Sequence, residues 1–208
     1  MAATFEEITK LLLSRKPLPP LLAPSPLDTS KRVSSTPWNQ ALHDDITRLQ
    51  NDSTVPLFAI ANLHLFNDDI GSCHDIVEKH GGHAMADYLH YILHRREGDY
   101  WNAKHVQLYE NERVFVHEEF FLFRWWIRQQ KSQEFQSVYL TQKYDGFGKQ
   151  KNLNDLSTSA KLAEAQARAQ GFVDRCEQVE KQADGQEKDR LKQLQWDEMK
   201  TVFDFARK

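Results

Sequence analysis

Cysteine is scarce in this chain, and so are the marks of several large protein classes. Only Cys73 and Cys176 occur in 208 residues, too few for a disulfide framework and suited to a reducing compartment. No run approaches the roughly 20 apolar residues of a membrane span. The eight glycines form neither a Rossmann nor a P-loop pattern, so the usual glycine-rich phosphate cradles are not expected. Positive charge is not in excess: Lys+Arg 27 against Asp+Glu 30 leaves a net −3. Neither nucleic acid nor an anionic membrane surface is therefore an expected partner. Glu6 and Glu7 precede Leu11-Leu12-Leu13, the reverse of the charge order in a secretory signal, which points to the cytoplasm and leaves the nucleus open. No stretch reads convincingly as a strand.

What the chain does have is helical periodicity. Hydrophobic residues at 40% and charged residues at 27% are ordinary for one domain with a real core. Residues 1–16 contain a short amphipathic helix, from Thr4 to Arg15, with Phe5, Ile8, Leu11 and Leu12 on one side. Residues 17–36 form a proline-rich arm; with Pro37, they hold six of the seven prolines. Such a segment stays extended, because proline fixes its own backbone and cannot donate a ladder hydrogen bond. The arm either presents the first helix to a partner or wraps across its own domain, and the second is favoured.

Residues 37–208 form the helical domain. Thr36 is expected to cap the first helix, with Pro37 at its opening position and an end near Gln50. Asn51 to Thr54 is a turn and cap, followed by a helix carrying Leu57, Phe58, Ile60, Ala61, Leu63 and Leu65. Asn67-Asp68-Asp69 breaks that helix, and another is expected from Ser72 to His80. Residues 113–130 are rich in large aromatic rings, a pattern more typical of a packed core than of an exposed surface. Asp145 to Gly148 marks a loop. Two helices close the chain, from Thr158 to Gln182 and after Gly185, with solvated Lys, Glu and Gln flanks. The expected fold is all-α, a compact array of seven or eight helices.

The densest chemistry lies between His83 and Lys104. As a helix, this stretch puts Met85, Tyr88, Leu89 and Ile92 on an apolar stripe and His83, Asp87, His90, His94 and Glu97 on the other face. Gly98 stops the helix and Asp99 can cap the next. All nine histidines fall between His43 and His117, which concentrates the candidates further.

Three readings compete for this block. His90 and His94 are four apart, the spacing by which one helix grips a divalent metal with two imidazoles, and His74 or His64 can add a third. The segment is not His-Glu-x-x-His, so no metal is favoured and no cofactor is expected from a motif; if a metal binds, the expected ligands are His90, His94 and His74. Without metal, Arg95 or Arg96 can fork onto a carboxylate or phosphate. His90 or His94 then handles protons, oriented by Glu97 and Asp99, with His74 beside the ligand and Asp69 near it. The plainer alternative is a buried polar network pinning helix to helix.

Arg96 to Ala103 resembles the helix–turn–helix junction of tetratricopeptide-type repeats, with Ala103 at the close-contact position, although no 34-residue repeat follows. That likeness supports a helical hairpin and, with the arm, a non-enzymatic protein-interaction module. A wider resemblance rests on Tyr88-x-His90-x-x-x-His94-Arg95-Arg96-Glu97-x-Asp99-x-x-Asn102-Ala103-Lys104. It is similar to the signature block of a helical family of fungi and bacteria without an assigned function. Asp69-Ile70-Gly71-Ser72-Cys73-His74, Phe172-Val173-Asp174-x-Cys176-Glu177 and Gln195-Trp196-x-Glu198 resemble further parts of that pattern. Gly98, where the pattern has proline, and the aromatic stretch after Arg113 depart from it. The resemblance implies a site of His74, His90, His94, Arg95, Glu97 and Asp99, and no activity.

The expectation is thus a pocket for a small anionic ligand. Arg95, Arg96 and His74 bind it, while His90, His94, Glu97 and Asp99 supply acid–base catalysis. A protein-interaction module and a histidine-ligated metal enzyme are the alternatives. Oligomeric state has no signature in the sequence.

Overall fold

The computed structural model describes residues 2–24, 35–105, 158–182 and 185–208, and among them every regular element is an α-helix. The order is α1 (Phe5–Leu13), α2 (Gln40–Leu49), α3 (Leu57–Phe66), α4 (Ile70–Glu78), α5 (Ala84–Glu97), α6 (Tyr100–His105), α7 (Thr158–Gln182) and α8 (Gly185–Ala206). The fold is therefore an all-α array, and no described helix is long and apolar enough to cross a membrane.

Local signals explain most of the boundaries. Thr4 and Glu7 form a reciprocal capping box at the start of α1, which satisfies two otherwise orphaned backbone donors. Helix α2 starts at Gln40 under an Asn39 cap, not at Thr36-Pro37, because the Asn39 carboxamide reaches the Ala41 N–H. Helix α3 follows Pro56, not a Thr54 cap; Asp52 instead accepts from the Thr54 N–H and hydroxyl within the preceding turn. Helix α4 runs from Ile70, two residues earlier than Ser72, because the Asp69 carboxylate takes the Ser72 N–H and acts as its N-cap. Gly98 ends α5 at φ 77°, a left-handed conformation that glycine adopts without steric cost. The aromatic stretch 113–130 and the loop at 145–148 lie outside the described residues.

Helix α3 is the centre. Ala59 to Phe66 are all buried, as a helix apolar all round requires, and α1, α2, α4, α5 and α8 all pack against it. The stripe of Met85, Tyr88, Leu89 and Ile92 faces inward from α5. Phe66 makes edge-on ring contacts with Trp196 and Phe203 of α8. Helix α6 returns from Gly98 with Asp99 accepting the Asn102 N–H and with Ala103 buried.

The described part of the arm wraps across the same chain. The Ala23 N–H donates to the Arg96 carbonyl at 2.8 Å, and the Gln195 amide donates to the Pro20 carbonyl at 3.2 Å. Leu21 is buried, and a Cβ added at Gly98 would come within 3.3 Å of Leu22. Gly98 thus serves both the turn and the passage of the arm.

The turn Asn67-Asp68-Asp69, between α3 and α4, is a buried polar hub. Asn67 exchanges hydrogen bonds with the Asn39 backbone at 2.9 and 3.0 Å and accepts the Trp38 N–H at 2.7 Å. Asp68, at φ 60°, pairs with both Arg15 and Arg96, while Arg15 also donates to the Phe66 carbonyl at 2.6 Å. Ser35 donates to the Asp68 carbonyl and accepts the Ile70 N–H. One three-residue turn thereby ties α1, the arm, α2 and α5 to the central helix.

Candidate metal centre

Helix α4 presents His74, and the polar face of α5 presents His90 and His94 one turn apart. All three side chains are half-buried. The His90 and His94 rings stack with centroids 4.6 Å apart. His74 meets them edge-on, at 4.9 Å from His90 and 5.7 Å from His94. Each residue can offer a ring nitrogen, and those nitrogens lie within 4.8 Å of one another.

The Nε2 atoms of His74 and His90 are 3.3 Å apart. An N–H···O hydrogen bond usually spans about 2.7–3.2 Å, and a nitrogen acceptor stands slightly further off. Two imidazole nitrogens on one tetrahedral zinc, each at 2.0–2.1 Å, stand about 3.3–3.4 Å apart. The 3.3 Å contact fits a ring-to-ring hydrogen bond and equally the spacing of two co-ligands. Burial, followed by the proximity of His94 and His74, pushes His90 down to about 3, so it is neutral and its lone pair is available at ordinary pH.

Carboxylates back two of the rings. His94 Nδ1 lies 2.9 Å from a Glu97 oxygen, so its Nε2 is the nitrogen not engaged by that carboxylate. His74 Nδ1 faces Glu78 at 3.6 Å, too far for a direct hydrogen bond. A carboxylate on the far nitrogen is the usual way a metal-binding histidine is held in one tautomer. The residue types also suit the ion: three imidazoles without a thiolate favour zinc, copper, iron or nickel over calcium or magnesium.

The arginines sit elsewhere. Arg95 is fully buried, paired with Glu198, with Gln195 within reach and its guanidinium over the Tyr91 and Phe172 rings. Burial lowers its proton affinity, but the Glu198 charge outweighs that and holds Arg95 firmly protonated. Arg96 is also fully buried, donating to Asp68 and, at 2.6 Å, to the Leu65 carbonyl. The guanidiniums expected to fork onto a ligand are both paired inside the core, Arg95 with Glu198 and Arg96 with Asp68. Asp99 is likewise committed to α6, accepting from the Asn102 backbone at 3.0 Å and its amide at 2.6 Å. Of the expected site residues, the structure brings together His74, His90, His94 and Glu97.

A second histidine cluster was not expected from the sequence. Asp69 Oδ2 lies 2.7 Å from His43 Nδ1 and 2.8 Å from His64 Nδ1, while its other oxygen caps α4. Burial alone would raise the Asp69 carboxyl, but the contacts with His64, His43 and Ser72 hold it well below the usual carboxylate range. Only its proximity to two histidines in three dimensions marks it; the sequence separations of 26 and 5 residues follow no ligand motif.

Comparison of the chain with models of protein families, with curated proteins and with solved structures gives no match.

Proposed function

We propose that the protein binds one divalent transition metal through His74, His90 and His94 and uses the ion in metal-assisted chemistry. The observation that carries this reading is the His74–His90 nitrogen spacing of 3.3 Å within a three-histidine group. Three protein ligands with a further position open is the pattern of catalytic rather than structural zinc. An ion held this way supplies Lewis-acid activation of a bound water or of a substrate oxygen. The chain's own contribution is positional. Helix α5 fixes His90 and His94 in one stack, α4 brings His74 across from them, and Glu97 holds the His94 ring through Nδ1. The apolar stripe on the opposite side of α5 anchors that geometry in the core. Partial exposure, 20% for the His74 side chain and 13% for His94, keeps the centre within reach of solvent.

The test is the metal content of purified, untagged protein after supply of zinc, iron, manganese, nickel and copper. It is measured beside a His90→Ala/His94→Ala double variant of matched thermal stability. About one equivalent of a transition metal in the parent and none in the variant is the expected result. No metal in either protein, or equal metal in both, overturns the proposal.

A further inference from the structure

We infer that the turn from α4 into α5 is an acid-sensitive hinge, closed by the neutral ring of His83. Helix α5 begins at Ala84, and His83 is its N-cap. The Met85 backbone N–H, 3.2 Å from His83 Nδ1, can only donate, so that nitrogen accepts and carries no proton. The ring's proton then sits on Nε2. Serine, threonine, asparagine and aspartate, the usual caps, still accept at mildly acid pH. A histidine cap accepts only while it is neutral, because imidazolium is a donor at both nitrogens. The closing bond is therefore one that a single proton breaks.

Three elements surround the ring. Helix α3 sends Phe58, whose ring lies 4.4 Å from His83 at a 30° tilt and 5.7 Å edge-on from His80. The end of α4 sends His80, and α5 sends Asp87, whose Oδ1 takes the Gly82 N–H at 3.0 Å. Asp87 and the Phe58 ring face favour a proton on His83. The lost cap bond, the positive end of the α5 dipole and the neighbouring His80 oppose it. Opposition wins: partial desolvation, followed by His80, holds His83 below the ordinary histidine value. The cap's stabilisation is therefore complete above the unfolded value of about 6.5. It is lost as the pH falls from there through the depressed folded value. Residues 80–83 are exposed, and Gly82, at φ 81°, has open space where a Cβ would stand. Nothing in that turn resists opening once the cap is released, and the junction lies between the helix of His74 and the helix of His90 and His94.

Nuclear magnetic resonance of the full-length protein, with a chelator present, tests this between pH 8 and pH 5. Ring-nitrogen shifts are expected to show the Nε2–H form of His83 at pH 8. The Met85 amide shift is expected to follow the His83 titration, with one shared midpoint below about 6.5. Exchange of that amide, corrected for its intrinsic pH dependence, should be several-fold faster at the acid end. In His83→Asn, which caps without titrating, both readouts of Met85 should stay constant over the same range. His74, His90 and His94 are intact in that variant, so an acid response that arises from them would persist there. An Nδ1–H form of His83 at pH 8, a Met85 amide that ignores the His83 titration, or an acid response that survives in His83→Asn overturns the inference.

Discussion

Two histidine clusters flank the start of α4, and their closest contacts differ by about half an ångström and in the atoms that meet. At His74, His90 and His94 a nitrogen faces a nitrogen at 3.3 Å. At His43, Asp69 and His64 each nitrogen faces a carboxylate oxygen, at 2.7 and 2.8 Å. Co-ligands of one tetrahedral metal need about 3.3 Å between donor atoms, whereas charge-assisted hydrogen bonds run at about 2.7–2.9 Å. Both groups could hold an ion by residue type and by the spacing of their ligand atoms, but in the second each histidine nitrogen sits at hydrogen-bond distance from the shared carboxylate. There the Asp69 carboxylate accepts from both histidine rings. It also caps a helix and joins α2 to α3, although the buried His64 Nε2 has no hydrogen-bond partner among the described residues. Under the proposed function, the first cluster would carry the chemistry and the second the architecture.

The strongest way to break this comparison is Asp69→Asn. That change removes an ionised acceptor shared by two histidines and weakens the α4 cap, so a loss of about 3 kcal/mol at pH 7 is expected. Because the folded carboxyl titrates below its unfolded value near 3.9, its stabilisation is complete at neutral pH. It declines once the pH falls below about 4 and disappears as the pH passes through the depressed folded value. Urea unfolding of parent and variant from pH 7 down to pH 3 should therefore show the gap narrowing only at the acid end. Metal binding should be unchanged at pH 7. A stable variant that cannot hold metal would reverse the assignment of the two clusters.

How much of this is legible in the sequence follows from the range of the interactions. Helices α5, α7 and α8 are readable because apolar spacing and flanking breakers act within a few residues, and the Thr4–Glu7 box marks α1 in the same way. His90 and His94 are visible as a pair because one helix turn joins them. Asn67-Asp68-Asp69 reads only as a helix breaker, since its partners Arg15, Ser35, Asn39, His43 and Arg96 arrive from four other segments. The direction of Arg95 and Arg96 is hidden for the same reason. On a helical wheel an arginine next to a histidine face invites a ligand role, whereas Glu198 and Asp68, which settle the matter, are 103 and 28 residues away.

Glu97→Gln sharpens the comparison from the other side. Both clusters have a carboxylate on a histidine Nδ1, but Glu97 holds a ring for the proposed ion whereas Asp69 holds rings for the fold. Loss of a carboxylate of this kind typically weakens metal binding by about 10–100-fold. Competition against a chromophoric chelator should find a drop in that range for Glu97→Gln. Its unfolding midpoint without metal should stay close to the parent's, because Glu97 is half-buried and its hydrogen bond is local. A large stability loss with unchanged metal affinity would instead make Glu97 a second architectural acid, equivalent to Asp69.

The smallest expected effect belongs to His43→Ala, and it tests whether the Asp69 cluster is one unit. The His43 side chain is 32% exposed whereas that of His64 is fully buried, so water can replace His43 at the carboxylate but cannot easily replace His64. A loss of about 1 kcal/mol or less is expected for His43→Ala, and a larger one for His64→Ala, which also leaves a cavity beside α3. If the two bonds to Asp69 support each other, the double variant will lose less than the sum of the single losses. Strict additivity would mean that each histidine is held independently and that Asp69 is simply a cap with two neighbours. Retained metal binding in all three variants would keep the clusters functionally separate. Loss of the ion in His43→Ala would show instead that α4 transmits the state of its N-cap to His74, one turn further along the helix.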